Sequence, residues 1–308
     1  MLDPKLVEII RELEKEAIPP NYTLPVNEVR RISREMVKRF SVSTPPLAQI
    51  KDITAEVSNA RIPVRVYVPR EQPNLPTLVY YHGGGWVVGD LDTADWICRS
   101  LAIQANCTVF SIDYRLAPEH KFPTPLEDCY STTKWIAENG FERYADVKRL
   151  AVGGDSAGGN LAAAVCMLAR DRAGPTIAFQ LLLCPVTNHS FDTESYRKYA
   201  DGYILTLKDM EWFWNNYLRD KRDGKNPYAS PLLGNLQSLP PALIMTAEFD
   251  PLVDEGETYA ERLREAGVPV KMVRYDSMIH TWTDFPQLKQ SSTAMEQAGA
   301  ELRKAFGT

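Results

Sequence analysis

Two patterns of apolar residues divide the chain. Near its start, Leu6, Ile9, Ile10, Leu13 and Ala17 recur at helical spacing until Pro19-Pro20 breaks the run. Val29, Ile32, Met36, Val37 and Phe40 repeat the spacing until Pro45-Pro46. Two amphipathic helices are predicted there, and their apolar faces must cover something. From residue 51 onward, short apolar runs alternate with longer helical stretches. Val64, Val66 and Val68 alternate with Arg65 and Tyr67, which predicts a strand with one buried face. Residues 78–81, 109–112, 150–152, 179–183 and 243–246 are compact apolar runs that suit central strands covered on both faces. Helices are predicted over 93–105, 125–139, 156–172 and 254–266, with Gly267 stopping the last. A final strand over 270–275 and a helix over 287–306 complete the pattern. Alternating strand and helix predicts an α/β fold: a mostly parallel central sheet flanked by helices, with right-handed crossovers.

One segment interrupts this rhythm. Almost sixty residues separate the strand ending at Leu183 from the one beginning near Ala242, and they include an aromatic helix with Trp212, Phe213, Trp214 and Tyr217. A structureless loop of that length is unusual in a compact domain, so an inserted element is expected over residues 186–226. The expected organisation is an N-terminal helical segment over 1–50 and a catalytic domain over 51–308 that carries the insertion.

Composition narrows the class. The 308 residues are 44% hydrophobic and 24% charged, which excludes a disordered chain, a fibre and a membrane-embedded protein. A net charge of −5 leaves no basic surplus for a phosphate backbone, so no nucleic-acid partner is expected. The charged stretch from Met1 to Ala17 lacks the apolar core of a signal peptide, and no apolar run is long enough to span a bilayer. Five cysteines without C-x-x-C spacing read as reduced thiols of a cytoplasmic protein. Four histidines with no H-x-x-x-H pair predict no metal site, and no cofactor motif is present.

The most informative local signal is Gly154-Asp155-Ser156-Ala157-Gly158, a G-x-S-x-G sequence between a predicted strand and an Ala-rich helix. A sharp strand-to-helix turn needs small residues beside the serine and lifts its hydroxyl above the sheet, at the positive end of the helix. Ser156 is therefore the candidate nucleophile. His82-Gly83-Gly84-Gly85-Trp86 follows another predicted strand. Consecutive glycines let several N–H groups converge on one point, as a developing oxyanion requires. Gly83, Gly84, Gly85 and the Ala157 N–H are the candidate donors, and His82 reads as structural.

A serine hydroxyl needs a base, and in strand–serine–helix hydrolases the partners follow in the order acid, then histidine. Only His189 and His280 lie beyond Ser156. The sole acid between Ser156 and His189 is Asp171, inside the nucleophile helix. His280 follows the last predicted strand, at the sheet end where such folds place their chemistry. Asp250 in Glu248-Phe249-Asp250-Pro251 is the candidate acid, with Glu248 as runner-up; Asp254 reads as the cap of the next helix and Asp276 as a loop residue.

With these residues in place, the chain resembles the hormone-sensitive-lipase-like family of α/β-hydrolase carboxylesterases over roughly residues 60–285. The resemblance rests on His82-Gly83-Gly84-Gly85-Trp86, Asp113-Tyr114-Arg115-Leu116-Ala117-Pro118-Glu119, Gly154-Asp155-Ser156-Ala157-Gly158-Gly159-Asn160 and Asp250-Pro251-Leu252. It implies an α/β-hydrolase fold, a Ser156–His280–Asp250 triad, a glycine-loop oxyanion hole with Ala157, and a cap formed by the N-terminal helices and the insertion. The chain departs from the family where Thr281-Trp282 follows His280, a place where members commonly carry Gly-Phe. Arg115, Glu119 and Asp128 read as scaffold groups.

The expected reaction is hydrolysis of short- to medium-chain acyl esters through an acyl-enzyme, with a small-molecule ester as the only partner. An amidase or peptidase with the same residues, or a binding protein on a dead hydrolase, are the alternatives. Trp86, Tyr203, Leu205, Trp212 and Phe213 either line an apolar substrate pocket or form the insertion's own core. A monomer or a homodimer is expected, the latter through an exposed edge at 270–275.

Overall fold

The computed structural model describes residues 1–42, 44–58 and 60–308. Within these residues, eight strands form one sheet: β1 Gln49–Val57, β2 Ala60–Val68, β3 Leu75–Tyr81, β4 Thr108–Ile112, β5 Ala145–Asp155, β6 Phe179–Leu183, β7 Ala242–Phe249 and β8 Val270–Ile279. Their spatial order is β1-β2-β4-β3-β5-β6-β7-β8. The β1–β2 hairpin and the β2–β4 pair are antiparallel, and every pair from β4 to β8 is parallel. This is the mostly parallel, helix-flanked sheet that the alternation predicts. In β3, β4 and β6 every residue is buried, because helices cover both faces.

Among the described residues, nine α-helices accompany the strands: α1 Pro4–Lys15, α2 Val26–Phe40, α3 Asp95–Ala105, α4 Thr124–Asn139, α5 Ala157–Asp171, α6 Glu194–Lys198, α7 Leu207–Tyr217, α8 Val253–Glu265 and α9 Lys289–Phe306. One core joins one face of the sheet to α4, α5, α7 and α8, and the other packs α3, α9 and the apolar face of α1 on the opposite side. β1 has no counterpart in the apolar pattern: it buries only Ala55, as an edge strand can. α8 begins one residue earlier than expected, capped at Leu252. Asp254, read as that cap, instead accepts the Ser195 N–H at 2.8 Å.

The connection between β6 and β7 carries α6 and α7 and is fastened at both ends to α5. Buried Asn160 donates to the Val186 and Ala229 carbonyls at 3.0 and 2.8 Å. Lys121 donates to the carbonyls of Asn215, Asn216 and Leu218, capping the C-terminal end of α7. α2 is held by Arg30, whose guanidinium meets Glu119 bidentately and also reaches the Val87 and Ala117 carbonyls. No helix among the described residues is long and apolar enough to cross a membrane.

Candidate active site

Four strands end at the site, and three of them, β5, β7 and β8, hand over a functional residue at the next position. Tyr81 ends β3 and pairs with Gly154, which puts His82-Gly83 beside the end of β5. Asp155 ends β5, and Ser156 follows it. Phe249 and Ile279 are register partners in β7 and β8, so the residues after them, Asp250 and His280, emerge side by side. Parallel strands thus bring together residues 30 and 124 positions apart in the chain.

Ser156 sits at φ 53°, ψ −116°, a region costly for a side-chain-bearing residue. Its N–H is held by the Leu183 carbonyl at 2.8 Å, and Val186 and Asn160 donate to its carbonyl at 3.2 and 3.0 Å. Gly158 permits the turn, because a Cβ there would run into the Tyr81 carbonyl. Ser156 Oγ lies 2.9 Å from His280 Nε2, and His280 Nδ1 lies 2.7 Å from Asp250 Oδ2. A carboxylate only accepts, so Nδ1–H donates to Asp250 and Nε2 is free to take the serine proton. The Leu252 N–H occupies the other oxygen of Asp250 at 2.8 Å. All three residues are buried.

The glycine run divides its work. The Gly83 N–H donates to Asp155 Oδ1 at 3.0 Å, and the same oxygen accepts the Tyr80 hydroxyl at 2.7 Å. Gly83, expected among the oxyanion donors, is therefore already committed to fixing the loop. The N–H groups of Gly84, Gly85 and Ala157 have no partner among the described residues. Gly84 and Gly85 have φ of 103° and 58°. Burial pushes the Asp155 carboxyl above its ordinary value, against the pull of Tyr80, His280 and Gly83.

The remaining candidates fall into place around this centre. His82 is buried, stacks on Tyr114 at 4.3 Å and is kept below the usual histidine range by burial. Glu248, the runner-up acid, accepts the Ser277 N–H at 2.8 Å beside the irregularity between β7 and β8. His189 lies apart from Ser156, packed on Phe191 and Trp214. Arg115 and Asp128 form a bidentate pair. Thr281 adopts the left-handed conformation (φ 53°, ψ 33°), a backbone that favours glycine. Trp282 after it is fully buried against Tyr275.

A cavity of about 250 Å³ opens onto Ser156 and His280. Leu205 and Phe213 line it, whereas Trp86, Tyr203 and Trp212 do not. Trp86 follows Gly85 at φ 61° and turns into the core, stacked on Tyr217 at 4.1 Å. Tyr203 stacks on Phe249 at 5.3 Å, and half-buried Trp212 backs Phe213 at 5.2 Å. Asn21, Ser33, Val37, Ile204 and Asp209 also line it but carry no sequence signal of active-site chemistry. Asp155 was legible only as the variable residue of the serine motif.

A serine on a strained elbow, hydrogen-bonded to a carboxylate-backed histidine above a mostly parallel sheet, defines an α/β hydrolase. The chain belongs to that family: the family model described as the alpha/beta hydrolase fold matches residues 78–284. It is 46% identical over 252 residues to the carboxylic ester hydrolase LipN of Mycobacterium tuberculosis, covering 80% of this chain and 67% of LipN. It is 35% identical over 307 residues to an arylesterase of Saccharolobus solfataricus, covering 99% of both. An ester hydrolase from the metagenome of Lake Arreo, solved with a derivative of bipyridine phosphonate, superposes with a TM-score of 0.95 at 39% identity over the whole of both chains.

Proposed function

We propose that the protein is a serine carboxylesterase in which Ser156, His280 and Asp250 form the catalytic triad and Gly84, Gly85 and Ala157 the oxyanion hole. The observation that carries this reading is the unbroken hydrogen-bond chain from Asp250 through His280 to Ser156, beside three unpartnered N–H groups. Ser156 Oγ attacks the ester carbonyl carbon while its proton passes to His280 Nε2. Asp250 holds the tautomer and stabilises the imidazolium. The carbonyl oxygen takes up negative charge against N–H groups already oriented for it, so little reorganisation opposes the step. Collapse expels the alcohol, protonated from His280, and leaves an acyl-serine. Water, deprotonated by the same histidine, attacks it and releases the carboxylic acid. The phosphonate bound by the Lake Arreo enzyme supports this reading, since a phosphonate is tetrahedral like the intermediate.

The substrate is a small ester with a short- to medium-chain acyl group, favoured from butyrate to octanoate, because the cavity is small and its wall includes Leu205 and Phe213. The helical segment over 1–50 and the insertion over 186–226 roof that cavity as a cap, and both supply wall residues. The five buried thiols support a reducing compartment such as the cytoplasm.

Hydrolysis of p-nitrophenyl esters by the native protein and by Ser156→Ala tests the assignment. Turnover is expected to fall by about 10⁴–10⁶ with the fold retained. Undiminished hydrolysis by a pure Ser156→Ala preparation would overturn it, and preference for amides over matched esters would replace esterase by amidase.

A further inference from the structure

Beneath the serine, the end of the sheet holds a thiol that the reaction as derived does not use. Cys184 follows β6, directly after Leu183, whose carbonyl holds the Ser156 N–H at 2.8 Å. Its own N–H donates to the Met245 carbonyl of β7 at 2.7 Å, so Cys184 ties the serine elbow to the strand that delivers the acid. Its φ of 42° lies in the left-handed region, where glycine would be free of strain. Such strain persists only where the surroundings hold the residue in place. Cys184 is 3% exposed, and its Sγ, a carboxylate oxygen of Asp250 and a ring nitrogen of His280 all lie within 4.8 Å of one another.

The acid has room for this neighbour. Asp250 is buried, and its carboxylate accepts from His280 Nδ1 and from the Leu252 N–H. A carboxylate offers about four acceptor sites, so a third donor fits. Burial and the Asp250 charge push the thiol well above its ordinary range, so Cys184 stays protonated and faces the carboxylate as an S–H donor. The Thr281 N–H faces the same sulfur. Three other ionisable side chains face this cluster: Asp155 at the end of β5, Tyr196 of α6 and Glu255 of α8.

We propose that Cys184 is a positioning residue that acts through Asp250: its thiol is the third donor to the carboxylate and sets how strongly that carboxylate holds the imidazolium of His280. The proposal rests on the triad reading. A donor on the carboxylate competes with Nδ1–H for the same negative charge. A thiol is a weak donor, so it fixes the carboxylate while leaving most of that charge to the histidine.

The test measures the pH dependence of kcat/KM on p-nitrophenyl butyrate for the native protein, Cys184→Ala and Cys184→Ser. The acid limb follows protonation of the base in the free enzyme. Without the thiol more of the carboxylate charge falls on the imidazolium, so Cys184→Ala should move that limb to higher pH, by on the order of half a unit. Cys184→Ser restores a donor and should return the limb to its native position or below. KM should stay nearly constant, because Cys184 does not line the catalytic cavity. The downfield proton resonance of His280 Nδ1–H, titrated in each variant, reads the same shift without substrate. Circular dichroism establishes that each variant is folded; if Cys184→Ala is not, Cys184→Gly, which suits the left-handed backbone, replaces it. Coincident limbs for the native protein and the donor-free variant would overturn the proposal, as would a limb in Cys184→Ser displaced as far as in Cys184→Ala. Failure of the native protein on every ester would instead overturn the esterase reading and leave the Nδ1–H titration to decide the role of Cys184.

Discussion

α5 and α2 are both fifteen residues long, yet α5 buries every residue from Ala157 to Ala169 while α2 buries Val29 alone. The first carries the serine elbow; the second helps to roof the cavity. Below the substrate, position is set by the sheet: Ser156, Asp250 and His280 each stand one residue beyond a strand. Above it, position is set by a few pins: Arg30 for α2, and Lys121 for the end of α7. Burial on both sides leaves the floor no alternative packing. A roof held by charged and polar contacts tolerates wall substitutions. The reaction is thereby fixed by packing, and the choice of substrate is left to segments that can vary without disturbing it.

The sharpest way to break this contrast is Gly85→Ala. Its Cβ would collide with the Phe213 ring, where floor and roof touch, and φ 58° disfavours any side chain. A loss of about 10²–10³ in kcat, the usual consequence of a spoiled oxyanion donor, is expected, together with about 1–3 kcal/mol of stability lost to the clash and read by thermal melting. A fully active variant would show that the floor is not tightly specified. Arg30→Met probes the roof: it removes charge-assisted bonds to Glu119, Val87 and Ala117, of which about 1–3 kcal/mol of stability is expected to be lost. Thermal melting reads that loss directly, and turnover should change less than tenfold.

The last effect, spread over several pH units, concerns the join between floor and roof. Glu255 is buried, accepts the Thr187 and Asn188 N–H groups at 2.6 and 3.1 Å, and is pushed up by burial to about 8. The folded state therefore keeps a proton that the unfolded chain has already released. Stability from this residue falls as pH rises from about 4.5 to about 8. Glu255→Gln should flatten that decline, by at most about 1.4 kcal/mol per pH unit, in denaturant titrations across the window. Parallel curves for the two proteins would show that Glu255 does not carry it.

The same division explains what could be read from the sequence. Ser156, Asp250 and His280 were legible because acyl transfer restricts both residue type and order, and because each follows an apolar run. Arg115 and Asp128 were legible as scaffold because charged residues at such positions usually form satisfied networks, and His82 because it precedes the glycines at a strand end. β1 was hidden because an edge strand may alternate polar and apolar residues irregularly, as Gln49–Val57 does. Trp86 could equally have lined a pocket or a core by sequence; its left-handed backbone turns it into the core, which composition cannot reveal. Gly83 was indistinguishable from its neighbours until Asp155 was seen to hold its amide. Asn21, Ser33 and Val37 reach the cavity only through tertiary packing of helices whose own pattern is ordinary.

The pairing of Phe249 with Ile279 makes turnover a ruler for strand alignment. If β8 docked one residue out of step, its side chains would exchange faces and the base would lose both the acid and the serine. A slip of two would restore the faces but carry the base about 6.6 Å along the strand, too far for either hydrogen bond. Such a chain would keep its helices and most of its core. Recovery of esterase activity, compared with recovery of helical signal after dilution from denaturant, would therefore count the molecules whose last strand has closed in the correct frame.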